Sequence, residues 1–167
     1  MNQNTTGATN TAFGHSALNA NTTGNQNTAV GGFALDASSG ANENTAMGYQ
    51  SLTACTSGEG HAAFGWKSLA ATTTANDNTA FGHAAARDTT TGSENTVVGR
   101  AAFQVNTTGA NNTVLGSNAL IANTTASNNV AIGRRAMYSN TTGTANVAIG
   151  YQALYTVTTN SENVAVG

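Results

Sequence analysis

The sequence predicts an all-β fold: a parallel β-solenoid, or β-roll, of about ten 17-residue coils forming a single repeat domain over residues 1–167. Three observations predict it. A glycine recurs every 17 residues, from Gly14 through Gly31 and Gly48 to Gly167, with no insertion or deletion. An asparagine stands four residues before nearly every one of these glycines. Leu, Ile, Val and Phe together make up only about 15% of the chain, too little for an ordinary core. A strict period means that each repeat fills the same structural slot. Helical repeats need about 33 residues for two helices, whereas 17 residues suit one coil of two short strands and two turns.

Coils are predicted to start near Asn10, Asn27, Asn44, His61, Asn78, Asn95, Asn112, Asn129, Asn146 and Asn163. Positions are counted from that residue. Strand one occupies positions 1–5, "NVAIG" in the eighth and ninth coils. Position 4 is always large and apolar, as in Phe13, Met47, Phe81, Leu115 and Ile149, and is expected inside. Glycine at position 5 ends the strand. Strand two occupies positions 6–10, "YQALY" in the ninth coil, with position 9 (Leu18, Leu35, Leu52, Leu69 and their equivalents) also inside. The "NTTG" segment closes the coil, with glycine at position 15 free to take positive φ. Stacking at the inter-strand spacing gives a rod on the order of 45 Å long. Stacked Asn side chains form an amide ladder, and stacked Thr adds packing and hydroxyl bonds. Proline is absent, so every residue keeps its N–H for pairing.

Neighbouring strand residues face opposite ways. Position 3 is Ala or Val beside the large position 4, and position 8 is Ala or Ser beside position 9. Both strands therefore read as dry on both faces. The small column at position 3, including Ala131 and Ala148, is expected to touch other chains. The expected assembly is a homo-oligomer, a parallel homotrimer by preference, although dryness does not fix the number three.

Composition excludes several classes. The formal net charge is −2 and only 7% of residues are charged, so no basic patch exists to neutralise many phosphates and nucleic acid is not an expected partner. No apolar run approaches a membrane span. The N-terminal "MNQNTTGATNTAFG" has neither a basic stretch nor an apolar core and is not expected to be a signal peptide. Cys55 is the sole cysteine, so no intrachain disulfide forms.

No catalytic constellation is apparent. Glu43, Asp77, Glu94 and Glu162 share position 17, a turn; Asp77 and Glu94 are one coil apart and read as a solvated turn rather than a cation site. His15 and His83 share position 6 but lie four coils apart, His61 replaces a ladder Asn, and Cys55 has no partner in the repeat frame. No cofactor, no metal and no enzymatic activity are expected. Variation between coils is more informative. Positions 6 and 7 break the repeat and gather most aromatics and cations: Tyr49, Gln50, Trp66, Lys67, His83, Arg100, Arg134, Arg135, Tyr151 and Gln152. Trp and Tyr beside Gln and Lys suit a sugar, its face on a ring and its hydroxyls hydrogen-bonded. These ten are the candidate ligand-binding residues. An outward, unconstrained column or an inter-chain contact is the competing reading.

The units "NNVAIG", "ANVAIG" and "ENVAVG" resemble the head repeats of trimeric autotransporter adhesins, and "NTAVGGFAL" or "NVAIGYQALY" followed by "NTTG" resembles the repeats of bacteriophage-type tail fibre proteins. The resemblance covers essentially the whole chain. It implies a β-roll in a parallel trimer, and a fibre role on a virion or cell surface. The chain departs from both families in having no membrane-anchor barrel, coiled-coil stalk or chaperone domain, so a fragment or a differently assembling subunit is expected. The function expected is a structural, adhesive fibre segment, extracellular or virion-associated, that presents or contributes to receptor (glycan or protein) binding. Alternatives are an ice-binding solenoid and the head of a bacterial trimeric adhesin. Ice binding ranks lower because Thr at positions 13 and 14 is adjacent, leaving one of each pair outward.

Overall fold

A computed structural model describes residues 3–167. The predicted parallel solenoid is present. Ten strands, β1 (Thr11–Phe13), β2 (Thr28–Val30), β3 (Thr45–Met47), β4 (Ala62–Phe64), β5 (Thr79–Phe81), β6 (Thr96–Val98), β7 (Thr113–Leu115), β8 (Val130–Ile132), β9 (Val147–Ile149) and β10 (Val164–Val166), stack in sequence order into one sheet. Every pairing is parallel and shifted by one coil, as in Thr11 with Thr28 and Val164 with Val147.

Each coil contributes one strand, not two. The strand covers positions 2–4 only. The "YQALY" segment is a run of turns in which positions 7 and 9 take positive φ, for example Gln50 at 55° and Leu52 at 51°. A residue in the left-handed region reverses local chain direction, so the alternating pattern curls the segment round the coil instead of extending it. Inter-coil bonding continues regardless: Leu18 N–H donates to Ala34 O at 2.9 Å and Leu35 N–H to Ser51 O at 3.0 Å.

The facing of the strand is the reverse of the expectation. Position 3 is the inward column: Ala46, Ala80, Ala131 and Ala148 are fully buried. Position 4 points out, with Phe81 41% and Leu115 46% exposed. The interior is filled instead by position 9, where Leu18, Leu35, Leu52, Leu69, Phe103, Leu120 and Met137 are fully buried, and by the small side chains of position 8. Leucines entering from the turn segment leave room for only a methyl or isopropyl group from the strand opposite. Ala131 and Ala148 are thus core residues, not contacts between chains.

The expected amide ladder is present at position 1. Asn27, Asn44, Asn95, Asn112, Asn129, Asn146 and Asn163 each donate Nδ2–H to the Oδ1 of the residue one coil earlier, at 2.9–3.2 Å. That same Oδ1 accepts the main-chain N–H of the next rung, as from Asn112 N to Asn95 Oδ1 at 3.0 Å. Most of these amides also donate across the coil to the position-15 carbonyl, as Asn95 Nδ2 does to Gly109 O at 3.0 Å. A buried amide satisfied on both sides rigidifies the rod at no desolvation cost left unmet. Threonines at position 13 bond the next coil's carbonyl rather than one another, as Thr22 Oγ1 to Ser39 O at 2.8 Å and Thr107 Oγ1 to Thr124 O at 3.0 Å. A further ladder was not foreseen: side chains at position 16 accept main-chain N–H groups one coil earlier, as Asn42 Oδ1 from Asn25 N and Ser127 Oγ from Ala110 N.

The glycine columns divide by cause. At position 5, φ lies at 126–139° in every coil, and a Cβ on Gly99 would stand 2.6 Å from Gly116 O. Only glycine adopts that conformation freely. Position 15 shows no positive φ, contrary to expectation; its glycines answer to space instead, since a Cβ on Gly24 or Gly109 would run into the carbonyl oxygen of Ala41 or Ala126, although Ala41, Ala75 and Ala126 are themselves accommodated in the same slot.

Candidate functional site

Gly at position 5 turns the chain out of the sheet, so positions 6 and 7 project along one edge of the rod. All five basic residues lie on this side of the coil, at positions 6, 7 and 10: Arg100 and Arg134, Lys67 and Arg135, and Arg87. Of the seven acids only Asp36 and Asp88 share it; the other five occupy positions 16 and 17, on the far side of the strand. The strand face therefore runs between an anionic edge and a cationic one.

Two clusters form on the cationic edge. In the first, Trp66 and His83 stack with ring centroids 4.5 Å apart and 15° between planes, and Lys67 Nζ lies 4.6 Å from the Trp66 ring centroid. The indole's π-surface thus already serves two neighbours, while the residue stays 40% exposed. Tyr49 stands edge-on to Phe33 at 5.9 Å, and Phe33 edge-on to His15 at 5.1 Å. In the second cluster the guanidinium of Arg134 sits 5.6 Å from the Tyr151 ring and that of Arg135 5.7 Å from Tyr138, which stacks on Tyr155 at 5.1 Å. Gln152 is half-buried beside Tyr151, and Arg100 is exposed on a rung between the clusters. Sequence reasoning missed Tyr138 and Tyr155, which stand at position 10. Position 10 faces outward in a strand as in the curled turn segment, and its own break in the repeat, from Asp36 through Ala70 and Arg87 to Tyr138, is the signal that could have found them.

Position 10 also creates a hollow. Its column runs Thr53, Ala70, Arg87 through the third, fourth and fifth coils. The missing side chain at Ala70, together with Ala71 beside it, leaves a depression of about 340 Å³ lined by Gln50, Thr53, Lys67, Ala70, Ala71, Arg87 and Asp88. Arg87 is held in place: Nε and Nη2 donate to Asp88 Oδ1 and Oδ2, each at 2.7 Å. With the Gln104 amide oxygen turned toward it, Nη1 donates there at 2.6 Å. The bidentate bond to Asp88 raises the Arg87 pKa further above its ordinary value. Of the candidates read from the sequence, Gln50 and Lys67 line this hollow. Thr53, Ala70, Ala71, Arg87 and Asp88 were not foreseen; the signal was a pair of alanines one rung before an Arg-Asp pair in the same columns.

The remaining titratable groups are buried or dispersed. Cys55 is buried, donates weakly to Gly58 O at 3.5 Å, and has its pKa pushed up to about 11 by desolvation. Glu59 Oε1 accepts from Asn42 Nδ2 at 2.7 Å. Among the described residues no group of three or more His, Cys, Asp or Glu gathers where a metal ion could sit, and no helix is long and apolar enough to cross a membrane. Comparison with family models, with curated proteins and with solved structures gave no match.

Proposed function

We propose that the chain is a structural, adhesive segment of a fibre: a rigid rod that associates with copies of itself along its strand face and carries a recognition edge for a surface glycan or protein. It acts without catalysis, outside the cell or on a virion, as a tail fibre or trimeric adhesin head would. The observation that carries this reading is the outward column at position 4. Phe13, Met47, Phe81, Val98, Leu115, Ile149 and Val166 are all at least 36% exposed, in a continuous apolar line along the rod. Lines of that length mark association surfaces.

The proposed occupant is a second copy of the chain, parallel and in register. An identical rod repeats its apolar residues at the same axial spacing, so every rung finds a partner. Charge favours the same choice. Rotation about the rod axis sets the anionic edge of one copy against the cationic edge of the next; face-to-face antiparallel docking sets like against like. The number three rests on the resemblance to trimeric fibres.

Sedimentation equilibrium tests the proposal. The native protein is expected as an oligomer, and Phe81→Asp with Leu115→Asp as a folded monomer. A native monomer at micromolar concentration overturns it. Ice binding is the reading it displaces. The position-13 hydroxyls are engaged with carbonyls of the next coil, and the outward neighbour of each position-2 Thr is a large apolar side chain. Clear thermal hysteresis would reverse that ranking.

A further inference from the structure

We propose that the hollow over the third to fifth coils binds one sugar ring bearing a carboxylate, of the uronic or sialic acid type, with Lys67 as its counter-ion. The proposal rests on the recognition half of the fibre reading and is tested apart from its oligomeric half.

Four features carry it. The first is size: about 340 Å³ lies at the lower end of small-molecule sites, enough to seat a single ring. The second is the floor. Ala70 and Ala71 are methyl-lined and flat, suited to the apolar face of a pyranose, and are flanked one rung away by polar Thr53 and Arg87. The third is charge. Arg87 is already neutralised by Asp88 through two 2.7 Å bonds, so the uncompensated charge at the rim is that of Lys67. Its ammonium, poised against Trp66 at 4.6 Å, has no carboxylate partner among the described residues. One free positive charge matches a monoanion; it is poorly matched to a neutral sugar or to a dianionic phosphate. The fourth is hydrogen bonding. Gln50 offers donors and an acceptor, Thr53 a hydroxyl, and Asp88 acceptor lone pairs beyond those Arg87 uses, all at the rim and able to meet ring hydroxyls. Pre-positioning of Arg87 by Asp88 and Gln104 lowers the ordering cost of binding.

The hollow lies beyond the turn at positions 6–7, on the coil segment that follows the strand. It is therefore formed by side chains other than the outward apolar column of the strand face.

The repeat supplies its own test variant. The slot of Ala70 is filled by Tyr138 and Tyr155 in the eighth and ninth coils, stacked and compatible with the fold. Ala70→Tyr should thus plug the hollow without disturbing the rod. Titration calorimetry on the full chain would use methyl glucuronide and the methyl glycoside of N-acetylneuraminic acid as probes, against methyl glucoside, glucuronide methyl ester and glucose 6-phosphate. Expected results are binding of at least one acidic glycoside, at least tenfold weaker binding of the neutral and esterified sugars, loss of binding in Ala70→Tyr, and at least tenfold weakening in Lys67→Gln. Both variants should keep the native circular dichroism spectrum and melting temperature, and Glu94→Gln, on the far edge at position 17, should bind normally. No binding of either acidic glycoside, equal binding of the neutral sugars, preference for the phosphate, or binding unchanged in Ala70→Tyr overturns the proposal. Its failure would leave the sedimentation result, and so the fibre reading, untouched.

Discussion

His61 Nδ1 accepts the main-chain N–H of Asn78 at 3.2 Å, where the other rungs place an Asn Oδ1. That bond fixes the tautomer: the proton sits on Nε2, which donates to Ala75 O at 2.8 Å. One imidazole thus makes both the inter-rung contact and the cross-coil contact of the asparagine it replaces. It does so only while neutral.

Acid should therefore loosen the rod at this rung. Burial lowers the His61 pKa, and its bonds to Ala75 and Asn78 and the charge of Asp77 only partly oppose the shift. The unfolded chain takes up its proton near pH 6.5 while the folded chain resists until lower pH. Stability is then full above about pH 7 and falls as pH drops through 6.5 toward the folded value, by at most about 1.4 kcal/mol per pH unit. His61→Asn should restore the uniform ladder and remove this component. Melting temperatures from pH 8 to pH 5 for both proteins check it; parallel curves would show that His61 does not carry the acid sensitivity.

The period, the Asn ladder and the inward Leu column were legible because each is a property of stacking, and stacking repeats in the sequence. The facing of the strand was not. Size served as a guide to burial, so Phe81 and Leu115 were placed inside and Ala80 and Val114 outside. The guide failed because the interior is filled from the other side, by Leu52, Leu69 and Leu120 at φ of 48–51°. A leucine in the left-handed region leaves no mark in the sequence, unlike a glycine or asparagine. The hollow was illegible for a related reason: position 10 faces away from the inward position 9 in a strand as in a curl, but only the curl draws Gln50, Lys67, Ala70 and Arg87 round one depression.

Inverting the facing makes opposite demands on adjacent residues. Ala148 is fully buried and Ile149 is 38% exposed. Ala148→Leu should overpack the coil and cost about 1–3 kcal/mol or more. Ile149→Ser should leave the chemical midpoint of the dissociated chain almost unchanged while weakening self-association. Urea unfolding with sedimentation on both variants decides it, and the reverse pattern would restore Ala148 as a contact surface.

Glycine at position 5 should be irreplaceable for two reasons at once. Gly99 has φ of 139°, and its Cβ would meet Gly116 O at 2.6 Å and Gly116 C at 2.7 Å. Ala in that region is strained by about 1–3 kcal/mol before any clash is counted. The obstacle is main chain, so relief requires parting two coils. Gly99→Ala should lose several times the ordinary cost of a surface substitution, and amide hydrogen exchange should localise the opening to β6 and β7.

Cys55 offers a probe of how the rod opens. It stands at position 12, an inward polar column that elsewhere carries Asn21, Ser38, Thr72 and Asn106, all fully buried. With the pKa pushed up to about 11, the thiolate fraction at pH 8 is on the order of one in a thousand. His61 does nothing to activate it; a methyl on Gly58, which separates them, would lie 2.8 Å from His61 Nε2 and 3.3 Å from Cys55 Sγ. A disulfide reagent at pH 8 should leave the native thiol unmodified for hours and titrate it fully in guanidinium. Adding sub-denaturing urea should raise the rate in step with opening of the third and fourth coils, because reaction requires those rungs to part. Cys55→Ser, which puts in this slot the residue that Ser38 supplies one coil earlier, should keep the fold and abolish the signal. Rapid labelling of the native protein would mean that this stretch of the spine is open to solvent.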